Sequence, residues 1–203
     1  MIKPTVFIVD DEEAVRDSLQ WLLESKGLKV ALFDSAETFL ASYTPDRAGC
    51  LVVDVRMPGM SGLELQEKLA EWQYTIPVIF ITGHGDVPMA VQAVKHGAVD
   101  FLEKPFNDKE LLAIIDRSLT QDRAQREGES LHRQIRDRLA SLSPRERAVL
   151  DLVVAGRLNK QIADELAISI KTVEAHRANM MDKMGAQSLA ELVQQVLAVR
   201  DGG

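Results

Sequence analysis

Asp54 closes the apolar run Leu51-Val52-Val53, and Pro58 and Gly59 then break the chain, which places its carboxylate at the exposed carboxyl tip of a buried strand. Asp10 and Asp11 follow Thr5-Val6-Phe7-Ile8-Val9 in the same manner. Thr82 follows Val78-Ile79-Phe80-Ile81, and Lys104-Pro105 follows the run from Val99 to Leu102, with Glu103 between. Carboxylates gathered at strand ends repel one another and raise each other's pKa unless a cation neutralises them. A hard divalent ion, Mg2+ by preference, takes few carboxylates and completes its shell with water and phosphate oxygens. An aspartate beside such an ion and a lysine can attack phosphorus, because the two cations spread the charge of the transferring group. Taken singly, Asp10-Asp11 reads as a helix cap, Asp54 as a turn residue and Lys104-Pro105 as a loop. Independent turns, however, have no reason to set three acids, a hydroxyl and a lysine on successive strand tips.

The elements that must position these groups are legible as alternating patterns. Strand-like runs at 5–9, 28–33, 50–53, 77–81 and 99–102 alternate with helical patterns at about 12–26, 35–42, 62–72, 86–96 and 107–119. Five βα units predict an α/β, doubly wound, five-stranded parallel sheet with helices on both faces, over residues 1–120. Gly83-His84-Gly85 leaves the backbone after Thr82 free to approach that edge, and His84 between glycines reads as exposed rather than as a catalytic base.

Residues 121–140 are rich in Gln, Arg, Asp and Glu, with Leu131, Ile135 and Leu139 at helical spacing. They read as a charged, partly helical linker whose stripe could pair weakly with another copy, and whose arginines form a solvated face. Residues 141–203 then predict a small all-α domain of four helices. Ser143-Pro144-Arg145-Glu146 is a capping box with proline at the first helical position, and Gly156 supplies the stop. A second helix spans about Asn159 to Leu166, a third runs from the Ser169 cap to about Met184, and a fourth starts near Ser188. Two short helices joined by a tight turn, the second presenting polar side chains outward, have the geometry of a helix-turn-helix.

Charge divides unevenly along the 203 residues. Residues 1–120 hold 11 Lys and Arg against 19 Asp and Glu, whereas residues 121–203 hold 13 against 12. The acidic first part does not suit nucleic acid, and DNA binding by the second must come from local placement of charge or from dimerisation. The single cysteine, Cys50, borders a buried strand and reads as an inert packed thiol of a reducing compartment. With no cleavable leader and no apolar run of about 18 residues, the chain reads as cytoplasmic, with no membrane partner.

The acidic pair, Asp54 with Pro58-Gly59, Thr82 and Lys104-Pro105 together resemble the receiver domain of two-component response regulators. Thr82-Gly83-His84-Gly85-Asp86-Val87-Pro88 resembles the FixJ branch in particular. The second half is similar to the LuxR-type helix-turn-helix of the NarL/FixJ family, through Leu142-Ser143-Pro144-Arg145-Glu146, Asn159-Lys160-Gln161-Ile162-Ala163 and Thr172-Val173-Glu174-Ala175-His176-Arg177. The resemblance implies Asp54 as phosphoacceptor; Asp11, Asp54 and the Arg56 carbonyl as direct Mg2+ ligands; and Asp10 as a ligand through water. It implies Lys104 on a phosphoryl oxygen across a cis Lys-Pro bond, Thr82 and Phe101 as the switch pair, and a dimer face that includes Val91, Lys95 and Asp100. In the second domain it implies Val173, Met180 and Met184 packed inward and Lys171, Glu174, Ala175 and Ala178 facing the major groove. Lys160, Thr172, His176, Arg177 and Lys183 would sit on the phosphates.

Many family members carry lysine where this chain has Glu174 and Ala178, so the base-reading face is less basic than usual; Glu174 is expected to read a C·G pair through cytosine N4. The implied partners are a sensor histidine kinase, double-stranded promoter DNA, RNA polymerase and, once phosphorylated, a second copy of the chain. The implied role is transcription control without enzymatic turnover of an external substrate. The alternative is a phosphorylation-dependent protein-interaction module or phosphate sink without specific DNA binding, to which Glu174 and the near-neutral second half lend some weight.

Overall fold

A computed structural model describes residues 3–83 and 87–200. His84, and with it the reading made of that side chain, lies outside the described residues. The chain divides into two compact units, Met1–Arg126 and Glu127–Gly203.

The first unit alternates strand and helix: β1 Thr5–Val9, α1 Glu13–Ser25, β2 Lys29–Phe33, α2 Ala36–Ser42, β3 Gly49–Asp54, α3 Gly62–Glu71, β4 Val78–Thr82, α4 Val87–Lys95, β5 Asp100–Glu103 and then α5, Asp108–Ala140. Among the described residues the sheet has five strands, all parallel, in the order β2-β1-β3-β4-β5. Its strands read as unbroken apolar runs because both faces are covered. Phe7, Val9, Leu51, Val53 and Phe80 point into a core with Phe39 of α2, Leu65 and Leu69 of α3 and Ala93 of α4. Their neighbours Val6, Ile8, Cys50, Val52, Ile79 and Ile81 pack with Leu19 and Leu23 of α1 and Leu111 and Ile115 of α5. Cys50 is fully buried on this second face, and loss of solvation, reinforced by the nearby Asp122 charge, pushes its thiol pKa up.

The strand order reverses direction between β1 and β3, and the crevice beyond the carboxyl ends of those two strands is where open parallel sheets hold ligands. Register carries this to single residues: Val9 is level with Val53 and Asp54 with Ile81, so Asp10 and Asp54 emerge side by side.

The first nine elements lie within a residue or two of the positions expected from pattern. α5 does not; it runs on through the segment read as linker, to Ala140. Two polar residues hold its continuation. Asp122, 3% exposed, accepts the Gly49 N–H at 2.9 Å and the Arg126 Nε–H, while the same guanidinium donates to the carbonyls of Pro45 (2.7 Å) and Arg47 (3.0 Å). Ionic hydrogen bonds to buried backbone fix a helix that apolar burial alone would leave frayed.

The second unit contains the end of α5, with α6 Pro144–Val154, α7 Asn159–Leu166, α8 Ile170–Met184 and α9 Leu189–Arg200. Val149, Leu150, Val153, Ile162, Val173, Met180, Met184, Leu192 and Val196 form its core. Ile135 and Leu139 of α5 belong to that core, whereas Leu131 is 56% exposed. The stripe expected to meet another copy therefore packs inward for two of its three positions. Among the described residues no helix is long and apolar enough to cross a membrane.

Candidate functional site

At the carboxyl edge of the sheet the Lys104 ammonium lies 2.9 Å from Asp10 Oδ2 and 2.9 Å from Asp54 Oδ2, with Glu12 Oε1 at 3.9 Å. The second oxygen of each aspartate is also engaged: Glu12 N–H donates to Asp10 Oδ1 at 2.9 Å, and Arg56 N–H to Asp54 Oδ1 at 3.0 Å. Asp54 ends β3 as expected but is only 5% exposed, since Lys104 and the neighbouring loops close over the strand tip. Asp10 is fully buried, and this loss of water raises its carboxyl pKa despite the hydrogen bonds from Lys104 and Glu12. Partial burial works against the Lys104 charge, but hydrogen bonds to the two carboxylates outweigh it and hold its pKa above the ordinary lysine value. The Lys104-Pro105 bond is cis, and Lys104 N–H donates to the Thr82 carbonyl at 2.7 Å.

Among the described residues, Asp10, Glu12 and Asp54 offer carboxylate oxygens that all lie within 4.8 Å of one another. An all-oxygen set this tight suits a small hard divalent cation and not a soft one. Asp11, the expected direct ligand, is exposed and is not one of these three, whereas Glu12, which the sequence reading did not name, is. Arg56 contributes its N–H to Asp54.

Thr82 is 1% exposed at the tip of β4. Phe101 is half-buried, its ring 6.4 Å from that of Phe80, the residue level with it in register. On the outer surface Val91 is 45% exposed and its neighbour Val94 56%, with Lys95 also exposed; Asp100 is paired with Arg117 at 2.8 Å. Gly62 was missed in sequence: a Cβ there would collide with the Asp54 carbonyl and come within 3.1 Å of Phe80, so its bareness lets α3 start against the site. A glycine directly after a serine cap was the only hint.

In the second unit α8 presents Lys171, Glu174, Ala175 and Ala178 as exposed, with Val173, Met180 and Met184 buried beneath, as the resemblance implies. Asn179, which the sequence reading passed over, shares the outer surface. Lys160 on α7 is exposed, and Thr172 and His176 are half-buried. Thr172 Oγ1 lies 2.8 Å from Ser169 Oγ at the helix cap. Two residues expected on phosphates also have partners inside the fold. Lys183 Nζ lies 2.7 Å from Glu146 Oε2, and Arg177 Nη1 donates to Asn159 Oδ1 at 2.7 Å. A charge on a recognition helix is drawn inward when a buried carboxylate is within reach, which sequence spacing does not show.

Glu146 links caps and core: it accepts the Ser143 N–H at 2.8 Å and donates its own N–H to Ser143 Oγ. Lys183, foremost, and Ser143 lower its pKa from 4.5 to about 2. Because the folded value lies below the unfolded one, its stabilisation is complete above pH 4.5 and is lost as pH falls toward 2. Glu146→Gln should thus lower the thermal midpoint of this unit at pH 7, with the difference from the parent protein shrinking over that window. A constant difference from pH 7 to pH 2.5, followed by circular dichroism, would contradict this account.

Comparison with known proteins accords with both halves. Residues 6–116 match the response regulator receiver domain, and residues 140–196 match the bacterial regulatory proteins of the luxR family. The chain belongs to the response regulators. This regulator is 49% identical to the transcriptional regulatory protein FixJ of Bradyrhizobium diazoefficiens over 200 residues, covering 98% of this chain and 97% of that one. It is 54% identical to FixJ of Rhizobium meliloti over 195 residues (96% and 95%), and 46% identical to the response regulator protein TodT of Pseudomonas putida over 196 residues (97% and 86%). Among solved structures it resembles the response regulator StyR, with a TM-score of 0.89 at 49% identity over 96% of this chain and 98% of that one. It also resembles full-length FixJ from B. japonicum, with a TM-score of 0.59 at 46% identity over 99% of both chains. The regulator couples a receiver to a LuxR-type DNA-binding domain and acts in phosphorylation-dependent control of transcription.

Proposed function

We propose that the regulator accepts a phosphoryl group on Asp54 from a phosphohistidine of a sensor kinase and then binds promoter DNA as a dimer. The observation that carries the reading is the Lys104 ammonium held 2.9 Å from both Asp10 and Asp54 at the switch point of the sheet. An oxygen of Asp54 attacks phosphorus, the phosphorus–nitrogen bond breaks, and the imidazole leaves with its electron pair. Lys104 turns from the Asp54 carboxylate to an oxygen of the arriving group, where its charge is worth most in a site closed to water. Asp11, Asp54 and the Arg56 carbonyl would hold Mg2+ directly and Asp10 through water, with the Glu12 carboxylate close by. When bound, the ion neutralises the gathered carboxylates and the charge of the transferred group.

The Thr82 hydroxyl then donates to a phosphoryl oxygen, and Phe101 follows into the space it leaves. This favours the face that carries Val91, Lys95 and Asp100, whose exposed valines gain by meeting a second copy. Pairing sets two α8 helices on half-sites related by a two-fold axis. Lys171, Glu174, Ala175 and Ala178 face the bases, while Lys160, Thr172, His176 and the free nitrogens of Arg177 meet phosphates. RNA polymerase is the partner through which such binding reaches transcription. The protein works in the cytoplasm and turns over no external substrate.

The test is selection of duplex fragments from the source genome by the purified regulator, with and without Mg2+ and beryllofluoride, a mimic of aspartyl phosphate. Fragments sharing a two-fold-related sequence should be enriched in the activated state alone. No enrichment in either state would turn the reading toward a protein-interaction module. On the recovered site, Glu174→Ala should relax the preference at one C·G position, by roughly tenfold. Unchanged preference at every position would remove Glu174 from base reading.

A further inference from the structure

α8 is tied by side-chain hydrogen bonds to three other helices. Two of the ties, Arg177 to Asn159 of α7 and Lys183 to Glu146 of α6, lie inside the matched luxR segment. The third does not. Arg138 of α5 donates from Nη1 to the carbonyl of Met184, the last residue of α8, at 2.7 Å.

The last carbonyls of a helix lack intrahelical partners and carry the negative end of its dipole, so a guanidinium there serves as both donor and counter-charge. The seat is fitted to it. The residue after Met184 is Gly185, at φ +63, and a Cβ at that position would stand 2.9 Å from Arg138 Nη1 and 3.2 Å from Cζ. The backbone carrying Arg138 is itself fixed, since Ile135 and Leu139 on either side of it are buried in the same core.

We propose that Arg138, outside the segment that defines the LuxR-type domain, is a positioning residue for DNA recognition. It sets the C-terminal end of α8 and thereby the angle at which Lys171, Glu174, Ala175 and Ala178 enter the major groove. This rests on the reading of α8 as the recognition helix. A helix of 15 residues is about 22 Å long, so a small shift at one end tilts the base-reading end out of hydrogen-bond register. Contacts to phosphates on flexible side chains tolerate the same tilt, so loss of Arg138 should weaken specific binding more than non-specific binding.

The experiment uses the full chain with Mg2+ and beryllofluoride, and two duplexes: the fragment recovered by selection and a scrambled sequence of equal length at the same salt. Arg138→Met, which keeps most of the stem, should lower the ratio of specific to non-specific affinity by about tenfold, and Arg138→Lys should restore most of it. Phosphate uptake at Asp54 should not change. Circular dichroism at the assay temperature reports folding; should Arg138→Met be unfolded there, Arg138→Gln, still a donor but uncharged, should show a smaller loss of the ratio, about threefold. A ratio that stays at the parent value, or equal loss on both duplexes, would overturn the proposal. Absence of selective binding by the unsubstituted protein would overturn the DNA reading and this proposal with it.

Discussion

Asp54→Asn is expected to take up no phosphate from acetyl phosphate in the presence of Mg2+, while the parent protein becomes labelled. The carboxamide is the same size and still accepts the Arg56 N–H, but it has no charged oxygen with which to attack phosphorus. Lys104 keeps Asp10 as a partner at 2.9 Å, so the variant should fold and should bury less uncompensated charge than the parent. Phosphate-affinity electrophoresis and intact mass read the outcome. Acid-labile phosphate on the asparagine variant would place the acceptor elsewhere. Asp10, though nearby, is an unsuitable substitute, because it is fully buried.

The largest effect on stability is expected at the opposite end of β3. Gly49 has φ +154, and a Cβ there would overlap the carbonyl of Thr5 on β1 and reach 3.0 Å from the ring of Phe7. Neither neighbour can retreat: β1 is paired on both sides, with β2 and β3, and Phe7 is enclosed by Phe39 and Tyr43. Any shift of Gly49 would also pull its N–H from the buried carboxylate of Asp122. Gly49→Ala should therefore destabilise the receiver by more than about 3 kcal/mol, from backbone strain and overlap together. The suitable comparison is Gly27→Ala, at φ +76 with nothing within 4 Å, where strain acts alone and the cost should be about 1 kcal/mol. Urea unfolding followed by circular dichroism checks the pair. Equal midpoints for the two variants would refute the account of Gly49.

Strand ends were legible because burial on both faces demands uninterrupted apolar runs, and the break in each run marks where polar chemistry begins. That logic located Asp10, Asp54, Thr82 and Lys104 without knowledge of their neighbours. It named Asp10 and Asp11 and passed over Glu12, because three successive acids differ only in how the chain leaves β1 and enters α1. Nor could it see that α5 runs unbroken past residue 119 to Ala140. That stretch is held by Asp122 and Arg126 acting on Gly49, Pro45 and Arg47, and a backbone group distant in sequence leaves no pattern for a side chain that binds it. The same blindness explains Arg138 on the Met184 carbonyl. The partner of Lys183 was hidden for a related reason: its spacing on α8 suits a phosphate contact, and nothing in that spacing shows the buried glutamate capping another helix with which it pairs.

The single cysteine of the chain, Cys50, is shut inside β3, level with Val6 of β1. Its thiol can meet an alkylating reagent only when the sheet face under α1 and α5 opens, so the rate of labelling is a clock for that opening. With a thiol-selective reagent the clock times the receiver alone, because the chain has no other cysteine. Phosphoryl capture, which knits β1, β3 and β5 together at the far edge, should slow it.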